Sequence, residues 1–256
     1  MIARSISPLQ QFFAWSVILI AGLLAGCHAT NDPAAPGEQS AKTAAATTVD
    51  DTSNSAIASA QYPQGATVIA AVGDSITYGY GTWKGGYPAK LQDKLLAAGY
   101  QAVVINAGIS GEASPSTDAR FLQAISGAKI ALLMIGTNDI FSKDDECPAG
   151  QCRTLEHIES MLDKAMISGM TPVVGTVIRE QPYEMYITWN MEIEALNAEI
   201  KRVAAERGVA VVDTFAAVLE HGDRSLYLDH HHLTDDGNDI LAQHWFDALL
   251  EHKLIQ

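Results

Sequence analysis

The stretch that decides the fold runs Ala66-Thr67-Val68-Ile69-Ala70-Ala71-Val72 and continues directly into Gly73-Asp74-Ser75-Ile76-Thr77. The first seven residues are apolar and β-prone, with too few polar side chains for a strand that faces water, so they predict a buried strand. A serine just beyond such a strand lies at the carboxyl edge of a parallel sheet, where α/β proteins place their functional residues. Gly, Asp and Ser are also common turn formers, and this segment taken alone favours an ordinary turn over a nucleophile.

Strand-like and helix-like segments alternate along the rest of the chain. The predicted strands are 66–72, 101–106, 129–135, 171–178 and 209–213, and the predicted helices are 87–98, 115–125, 155–166, 191–205 and 236–250. The connections are long enough for right-handed crossovers between parallel strands. The pattern therefore predicts an α/β domain at 65–256, with three α/β/α layers built on a five-stranded parallel sheet.

The composition limits the classes of partner. The chain has 256 residues, of which 48% are hydrophobic, and its formal net charge is −14. This is enough apolar material for one sizeable domain. No basic cluster is available to neutralise phosphates, so the sequence argues against a nucleic-acid partner. An acidic surface agrees with a small neutral or cationic substrate and does not choose between the two.

The amino terminus has the features of an export signal. Arg4 is the only charged residue before Asp32, and the apolar run from Phe12 to Ala25 is too short to span a bilayer comfortably. The run ends in Leu24-Ala25-Gly26-Cys27, which resembles the bacterial lipobox, in which the cysteine is lipidated and becomes the first mature residue. The alternative is an ordinary small-residue cleavage site with an incidental cysteine. We predict a lipoprotein signal peptide at 1–26 and lipidation of Cys27.

The segment that follows predicts a tether. Residues 27–64 are rich in Ala, Thr, Ser and Asp and hold almost no large apolar residues, so they cannot bury enough surface to offset their ordering entropy. As a disordered coil this segment has an r.m.s. reach of about 35 Å. His28 follows the cysteine, and resemblance to enterobacterial lipoproteins then implies the periplasmic side of the outer membrane rather than the inner membrane. We expect a lipid-anchored protein of the bacterial cell envelope.

Two further cysteines, Cys147 and Cys152, lie close together in the sequence Cys-Pro-Ala-Gly-Gln-Cys. Outside the cytoplasm we expect such a pair to form a local disulfide. A loop this short makes the bond worth only ~2 kcal/mol, so it would shape a surface loop rather than hold the fold. The alternative is a zinc knuckle, which needs two more ligands nearby, and His157 is one candidate.

Segments with potentially catalytic side chains follow several of the predicted strands. Asn106-Ala107-Gly108-Ile109-Ser110-Gly111 comes after the second strand, Gly136-Thr137-Asn138-Asp139 after the third, and Asp229-His230-His231-His232 lies near the carboxyl terminus. Each segment alone is compatible with a plain loop. Together with Ser75 they place a hydroxyl, backbone amides, a carboxamide and an acid–imidazole pair at one edge of one sheet, which is the set that acyl transfer requires.

In order and spacing these segments resemble the sequence blocks of the SGNH (GDSL) hydrolase family. The matching blocks are Gly73–Ser75, Asn106–Gly111, Gly136–Asp139 and Asp229–His232, the last followed by Leu-Thr-x-x-Gly. The resemblance covers the whole predicted domain. It implies a flavodoxin-like three-layer fold and a serine hydrolase that cleaves carboxylic esters through an acyl-enzyme, without a metal or an organic cofactor.

The resemblance also implies a role for each matching residue. Ser75 would be the nucleophile, His232 the general base and acid, and Asp229 the group that orients and stabilises the imidazole. The oxyanion hole would consist of the Ser75 and Gly111 backbone N–H groups and the Asn138 side chain. Two other block residues, Asp74 and Asp139, are expected to have structural roles as hydrogen-bonding groups of turns and loops.

The three consecutive histidines need to be placed in register. Only His232 has a carboxylate, Asp229, three residues earlier. His230 and His231 are then flanking loop residues, although either could contact substrate. The alternative is a metal site formed by His230–His232 together with Asp235 and Asp236. We favour no metal site, because histidine runs bind Ni²⁺ or Zn²⁺ weakly without any function.

The acyl and alcohol groups of the substrate stay open at this point. Members of the family act on lysophospholipids, thioesters and acetylated carbohydrates. Residues 140–152 and 179–189 are expected either to line the mouth of the site or to cover the sheet edge as a lid. We expect a monomer that acts on a small-molecule ester. A catalytically inactive binding lipoprotein with the same fold is the alternative, and the complete set of candidate catalytic residues argues against it.

Overall fold

The structure is a computed structural model, and it describes residues 62–141, 153–222 and 224–256. The predicted signal peptide at 1–26, the lipidation site Cys27, nearly all of the predicted tether and the cysteine pair Cys147 and Cys152 lie outside the described residues. Within those residues no helix is both long and apolar enough to cross a membrane.

The centre of the domain is a sheet of five parallel strands. They are β1 (Thr67–Gly73), β2 (Ala102–Gly108), β3 (Ile130–Met134), β4 (Thr171–Gly175) and β5 (Ala210–Val212). Their order across the sheet is β2-β1-β3-β4-β5, and every neighbouring pair is parallel. The predicted fold class is confirmed. After β1 the chain first builds the edge strand β2 and then returns to the other side of β1 with β3, so the strand order reverses between β1 and β3. Ligands of open α/β sheets bind at such a switch point.

Helices connect the strands and cover the sheet. They are α1 (Ser75–Tyr78), α2 (Gly86–Ala97), α3 (Ser114–Ala124), α4 (Thr137–Phe141), α5 (Thr154–Ile167), α6 (Ile187–Arg207), α7 (Thr214–His221) and α8 (Asp235–Glu251). Two short 3₁₀ helices occupy Glu184–Tyr186 and Arg224–Leu226.

The strands present alternate side chains to opposite faces of the sheet, and both faces are buried. On β1, Ile69 and Ala71 belong to one hydrophobic cluster, which also contains buried side chains of α2, α7 and α8, among them Leu91, Val218 and Trp245. The other cluster contains Val68, Ala70 and Val72 of β1 and buried side chains of α3, α5 and α6, among them Phe121, Met161 and Ile200. The sheet is therefore covered by helices on both faces, with one core on each face, which gives the three predicted α/β/α layers.

The structure also departs from the predicted elements in three places. The fourth strand was predicted to reach residue 178 but ends at Gly175, and the Thr176 hydroxyl beyond it donates to the Asp213 carboxylate at 3.1 Å. Helix α6 begins four residues earlier than predicted, at Ile187. Helices α1, α4 and α7 are not among the predicted helices, because all three are short and directly follow strand ends.

Candidate active site

Ser75 opens helix α1 immediately after β1, and its side chain is largely covered. Asp74 caps this helix, since its Oδ1 accepts a hydrogen bond from the Ile76 amide at 2.9 Å. Gly73 is required by the tightness of the turn: a Cβ at this position would lie 2.1 Å from the Met134 carbonyl oxygen. The Gly-Asp-Ser segment thus places one hydroxyl at the carboxyl end of the central strand.

His232 and Asp229 lie in line with this hydroxyl. His232 Nε2 is 2.9 Å from Ser75 Oγ, and His232 Nδ1 is 2.7 Å from Asp229 Oδ2. The other carboxylate oxygen of Asp229 accepts the backbone N–H groups of His231 at 3.0 Å and His232 at 2.8 Å. The structure therefore brings the three residues named by the sequence blocks into one hydrogen-bonded chain, although 157 residues separate the serine from the histidine.

The electrostatics of the pair suit an imidazole that accepts a proton. Burial lowers the pKa of His232 below its usual value, against the hydrogen bond to Asp229 that raises it, so the ring is neutral at pH 7. Burial also raises the pKa of Asp229, but the hydrogen bonds from the His232 ring and from the His231 and His232 amides outweigh burial and bring that pKa to about 2. Asp229 is then ionised and can stabilise a charged imidazole.

The other two histidines do not contact Ser75. The His231 ring stacks on Phe141 with centroids 5.5 Å apart, and the His230 ring stacks on Tyr186 at 5.9 Å. The titratable side chain grouped with both is Glu180, rather than Asp235 or Asp236 as the alternative metal site required. His157, the candidate ligand of a zinc knuckle, lies 3.0 Å from the Asp118 carboxylate through its Nδ1.

Gly111 lies in the loop after β2 and Asn138 in the first turn of α4 after β3, and these two strands flank β1. Gly111 adopts φ +82°, a conformation that favours glycine, and no atom lies within 4 Å of the position a Cβ would take. The Asn138 Nδ2 group donates to the Glu112 carbonyl oxygen at 2.9 Å. An amide nitrogen has two protons, so the second remains for a further acceptor. The loop that contains Gly111 is thus joined to the Asn138 side chain.

An ion pair between the buried Glu112 and the partly buried Arg120 supports this loop, and no local sequence pattern predicts it. The Glu112 carboxylate accepts hydrogen bonds from the Arg120 Nε at 2.7 and 2.8 Å and from the Thr117 hydroxyl at 2.8 Å. Glu112 is buried, and its own carbonyl is the acceptor for Asn138. The pair therefore fixes the residue next to Gly111. Asp139 of α4 makes a further link to the segment after β2, because its carboxylate accepts the backbone N–H of Ser114, the first residue of α3, at 3.0 Å.

Asn106, the first residue of the second block, holds the loop after α1 against β2. Its Nδ2 donates to the carbonyl oxygens of Tyr78 at 3.2 Å and Gly85 at 3.1 Å, and its Oδ1 accepts the Gly108 amide at 3.0 Å. The sequence analysis places Asn106 in the second matching block without predicting a role for its side chain.

The loop between α1 and α2 carries exposed aromatic side chains. The Tyr80 ring lies against the His232 ring with centroids 4.3 Å apart, although Tyr80 is half exposed. Trp83 in the same loop is 98% exposed. Residues of the segment 179–189 line a cavity of about 350 Å³, among them Arg179, Pro182, Tyr183, Glu184 and Ile187.

The segment 179–189 also contributes two residues beside the histidine loop that the sequence did not indicate. The Gln181 amide donates to the His230 carbonyl at 2.8 Å, and its side chain donates to the Asp229 carbonyl. Glu180 is fully buried beside His231. Glu180 and Gln181 contact residues about fifty positions later in the chain, and no local sequence pattern predicts such contacts.

Comparison with known proteins agrees with this arrangement. The sequence model described as the GDSL-like lipase/acylhydrolase family matches residues 71–240 of the chain. The matched region includes Ser75, Gly111, Asn138, Asp229 and His232. No curated protein sequence matches the chain.

Several solved structures share the fold. An acetylxylan esterase from Geobacillus stearothermophilus is 21% identical, with a TM-score of 0.62 over 72% of this chain and 94% of that one. A G-D-S-L family lipolytic protein from Desulfitobacterium hafniense is 19% identical, with a TM-score of 0.59 over 72% and 99%. An alpha/beta hydrolase from the metagenome of Lake Arreo, Spain, is 21% identical, with a TM-score of 0.60 over 72% and 94%. At these identities the likeness establishes the fold.

Proposed function

Because the chain belongs to the GDSL-like lipase/acylhydrolase family and is a carboxylic ester hydrolase, we propose that it removes small acyl groups, acetyl above all, from carbohydrate. The observation that carries the catalytic part is the hydrogen-bonded chain from Ser75 through His232 to Asp229. A binding protein without activity has no need of these three side chains in one line, so the inactive alternative gains no support.

The proposed reaction has two halves. In the first, Ser75 Oγ bonds to the ester carbonyl carbon while its proton passes to His232 Nε2. The tetrahedral intermediate then expels the alcohol oxygen, which takes the proton from His232 and leaves an acyl group on Ser75. In the second, water gives a proton to His232 and attacks the acyl carbon. The carboxylic acid leaves, and the proton returns to Ser75.

The negative oxygen of each tetrahedral intermediate needs fixed donors. We assign this role to the backbone N–H groups of Ser75 and Gly111 and to the second Nδ2 proton of Asn138. One such donor typically lowers the barrier by ~3–4 kcal/mol. The Asn138 bond to the Glu112 carbonyl supports the assignment, because a donor that is already oriented costs no reorganisation during the reaction.

Two features favour a neutral carbohydrate ester over the other substrates of the family. Tyr80 exposes aromatic surface beside His232, Trp83 is exposed in the same loop, and aromatic faces can pack against the apolar faces of sugar rings. The net charge of −14 disfavours polyanionic substrates such as acyl-CoA thioesters. The structural relative from Geobacillus is an acetylxylan esterase, which agrees with an acetylated glycan as substrate.

We also propose that the enzyme acts in the bacterial cell envelope, anchored by lipid on Cys27 and held away from the membrane by the segment up to residue 64. Support comes from the lipobox-like Leu24–Cys27 and the polar composition of the following segment. Acetylated polysaccharides of the envelope would then lie within reach of the domain.

The substrate proposal is tested by a chain-length series on the purified full-length chain. We expect kcat/KM to be highest for 4-nitrophenyl acetate and at least about tenfold lower for the octanoate, since an open site gains little from a long acyl chain. Acetate should be released from acetylated xylooligosaccharide, and lysophospholipid should be a poor substrate. A preference for octanoate or lysophospholipid would overturn the carbohydrate proposal while leaving the ester hydrolase intact.

A variant of the exposed aromatic loop separates sugar binding from catalysis. Trp83→Ala should reduce kcat/KM for the acetylated oligosaccharide at least about fivefold more than for 4-nitrophenyl acetate, because only the larger substrate extends to the loop. Ile167→Ala, which removes a similarly exposed apolar side chain outside this loop, serves as the matched control. Equal losses on both substrates would contradict a sugar-binding role for Trp83.

A further inference from the structure

A second cluster of titratable side chains lies beside the histidine that contacts Ser75. Glu180 follows β4, whereas His230 and His231 belong to the loop that precedes α8. Each of the three offers one potential ligand atom, and these atoms all lie within 4.8 Å of one another. None of the three has a place in the proposed ester hydrolysis.

Buried polar atoms of Glu180 and His231 lack hydrogen-bond partners among the described residues. Glu180 is 0% exposed, and neither of its carboxylate oxygens has a hydrogen-bond partner among the described residues. His231 is 9% exposed, and its Nδ1 is likewise unpartnered there. Buried polar side-chain atoms are nearly always hydrogen-bonded, because an unpaired one costs free energy. A ligand bound here would supply the hydrogen-bond or coordination partners that the described residues do not provide.

The separation of the two buried groups fits a shared cation better than a direct hydrogen bond. Glu180 Oε1 and His231 Nδ1 are 3.5 Å apart, whereas N–H···O hydrogen bonds are typically about 2.7–3.2 Å long. Two ligands of one tetrahedral zinc ion, each at about 2.0–2.1 Å, lie about 3.4 Å apart. Two imidazoles and one carboxylate are also a donor set that zinc accepts, with water in the fourth position.

The surrounding side chains already hold the two imidazoles. Phe141 stacks on the His231 ring and Tyr186 on the His230 ring. The backbone is fixed as well, because the Gln181 amide donates to the His230 carbonyl at 2.8 Å. The two rings would therefore need little reordering when a cation binds, and less ordering entropy would oppose its binding.

From these contacts we propose that Glu180, His230 and His231 bind one divalent cation of the zinc class. The cation ties the segment after β4 to the loop that carries His232, in addition to the two Gln181 hydrogen bonds. This role is structural and separate from ester hydrolysis.

The test uses the full-length chain without a histidine tag, freed of metal with a chelator and titrated with Zn²⁺ by calorimetry. We expect one equivalent to bind with a micromolar or tighter Kd and to raise the melting temperature by at least about 2 °C. Glu180→Gln and His230→Ala should each weaken binding at least about tenfold. His230 is only half buried, so its variant keeps the test valid if the Glu180 variant fails to fold.

Matched controls distinguish this site from others on the chain. Glu194→Gln and His252→Ala replace exposed residues of the same types and should leave zinc affinity unchanged. Asp229→Asn tests whether the ion instead occupies Asp229, His231 and His232, whose ligand atoms are also close together. The proposal is overturned if the wild type binds no zinc at micromolar concentration. It is equally overturned if Asp229→Asn abolishes binding while Glu180→Gln leaves it intact.

Discussion

At the scale of single residues, the candidate site depends on the register of three identical side chains. Of the three imidazole rings only that of His232 hydrogen-bonds to Ser75 and Asp229, whereas the ring of His231 packs against Phe141 and that of His230 against Tyr186. The i, i+3 spacing from Asp229 to His232 suffices for one carboxylate to bind both the ring and the backbone N–H of the histidine. The chemistry of the loop follows from that spacing.

The first prediction tests this register. His232→Ala should lower kcat for 4-nitrophenyl acetate by about a thousandfold or more, close to the loss in Ser75→Ala, because the residues of a triad act as a unit. Asp229→Asn should lower kcat more than it changes KM. His221→Ala, on α7, is the control and should retain normal rates. If His230→Ala or His231→Ala proved more damaging than His232→Ala, the assignment of the base would be wrong.

The second prediction concerns the pH dependence of folding stability. Burial raises the pKa of Asp74 to about 7, against hydrogen bonds from the Ile76 amide and the Thr137 hydroxyl that lower it. The folded-state pKa lies above the ordinary value of about 3.9, so Asp74 is more easily ionised in the unfolded chain, and stability falls as pH rises between these values. Between pH 5 and pH 8 the wild type should lose about 3 kcal/mol relative to Asp74→Asn.

Urea denaturation of both proteins at the two pH values measures this difference. Other groups with raised pKa values, such as Glu180, are present in both proteins, and their contributions cancel in the comparison. A difference in unfolding free energy that does not vary with pH would show that Asp74 is ionised in the folded protein throughout this range.

At the scale of elements, the strand ends and the loops after them determine which residues meet. Ser75, Gly111 and Asn138 each follow one of the three adjacent strands β1, β2 and β3, so the parallel sheet brings them to one edge. The Glu112–Arg120 pair then holds the loop after β2 in place. Removing one partner of a buried pair leaves the other charge uncompensated, which is more damaging than losing an exposed pair.

The third prediction follows from that difference. Arg120→Ala should cost on the order of 3 kcal/mol of stability. It should also lower kcat at least about tenfold with a smaller change in KM, because the donors around Gly111 lose their support. The matched control is Arg202→Ala, which breaks exposed ion pairs with Glu199 and Glu206 and should cost far less stability than Arg120→Ala.

The double variant Glu112→Gln with Arg120→Met should recover part of the lost stability, since it removes the uncompensated charge. A kcat for Arg120→Ala within twofold of the wild type, measured on 4-nitrophenyl acetate, would mean that the ion pair does not position the oxyanion donors.

The sequence predicted the elements whose signal is local. All five strands and the five long helices, α2, α3, α5, α6 and α8, were found within a few residues of their ends, because apolar periodicity and terminal glycines mark them. The end of β4 was misplaced because Thr176–Ile178 are apolar enough to continue a strand, whereas in the structure the Asn197 side chain hydrogen-bonds both the N–H and the carbonyl of Val177. The sequence did not predict two pairs, Glu112 with Arg120 and Glu180 with His231, because they form through tertiary contacts that no local sequence pattern marks.

At the scale of the whole molecule, the chain combines one compact catalytic domain with a polar segment and a lipobox-like amino terminus. The domain is acidic, so electrostatic attraction to anionic lipid cannot hold it at a membrane. The proposed attachment therefore relies on lipid at Cys27, and acyl chains on a single cysteine are sufficient when two or more are present. A tether with an r.m.s. reach of about 35 Å would leave the site free to meet substrate away from the bilayer.

The last prediction tests that attachment. In bacteria expressing the full-length chain, wild-type protein should incorporate radiolabelled palmitate and sediment with the membranes. Cys27→Ser should lose the label and accumulate either as unprocessed precursor or as released soluble protein, because the thiol that receives the lipid is gone. Cys147→Ser is the matched control, since it removes a cysteine outside the lipobox and should keep both label and membrane association. A wild-type protein that takes up no label, with a fractionation that Cys27→Ser leaves unchanged, would contradict lipid anchoring and leave only the cleavable signal peptide.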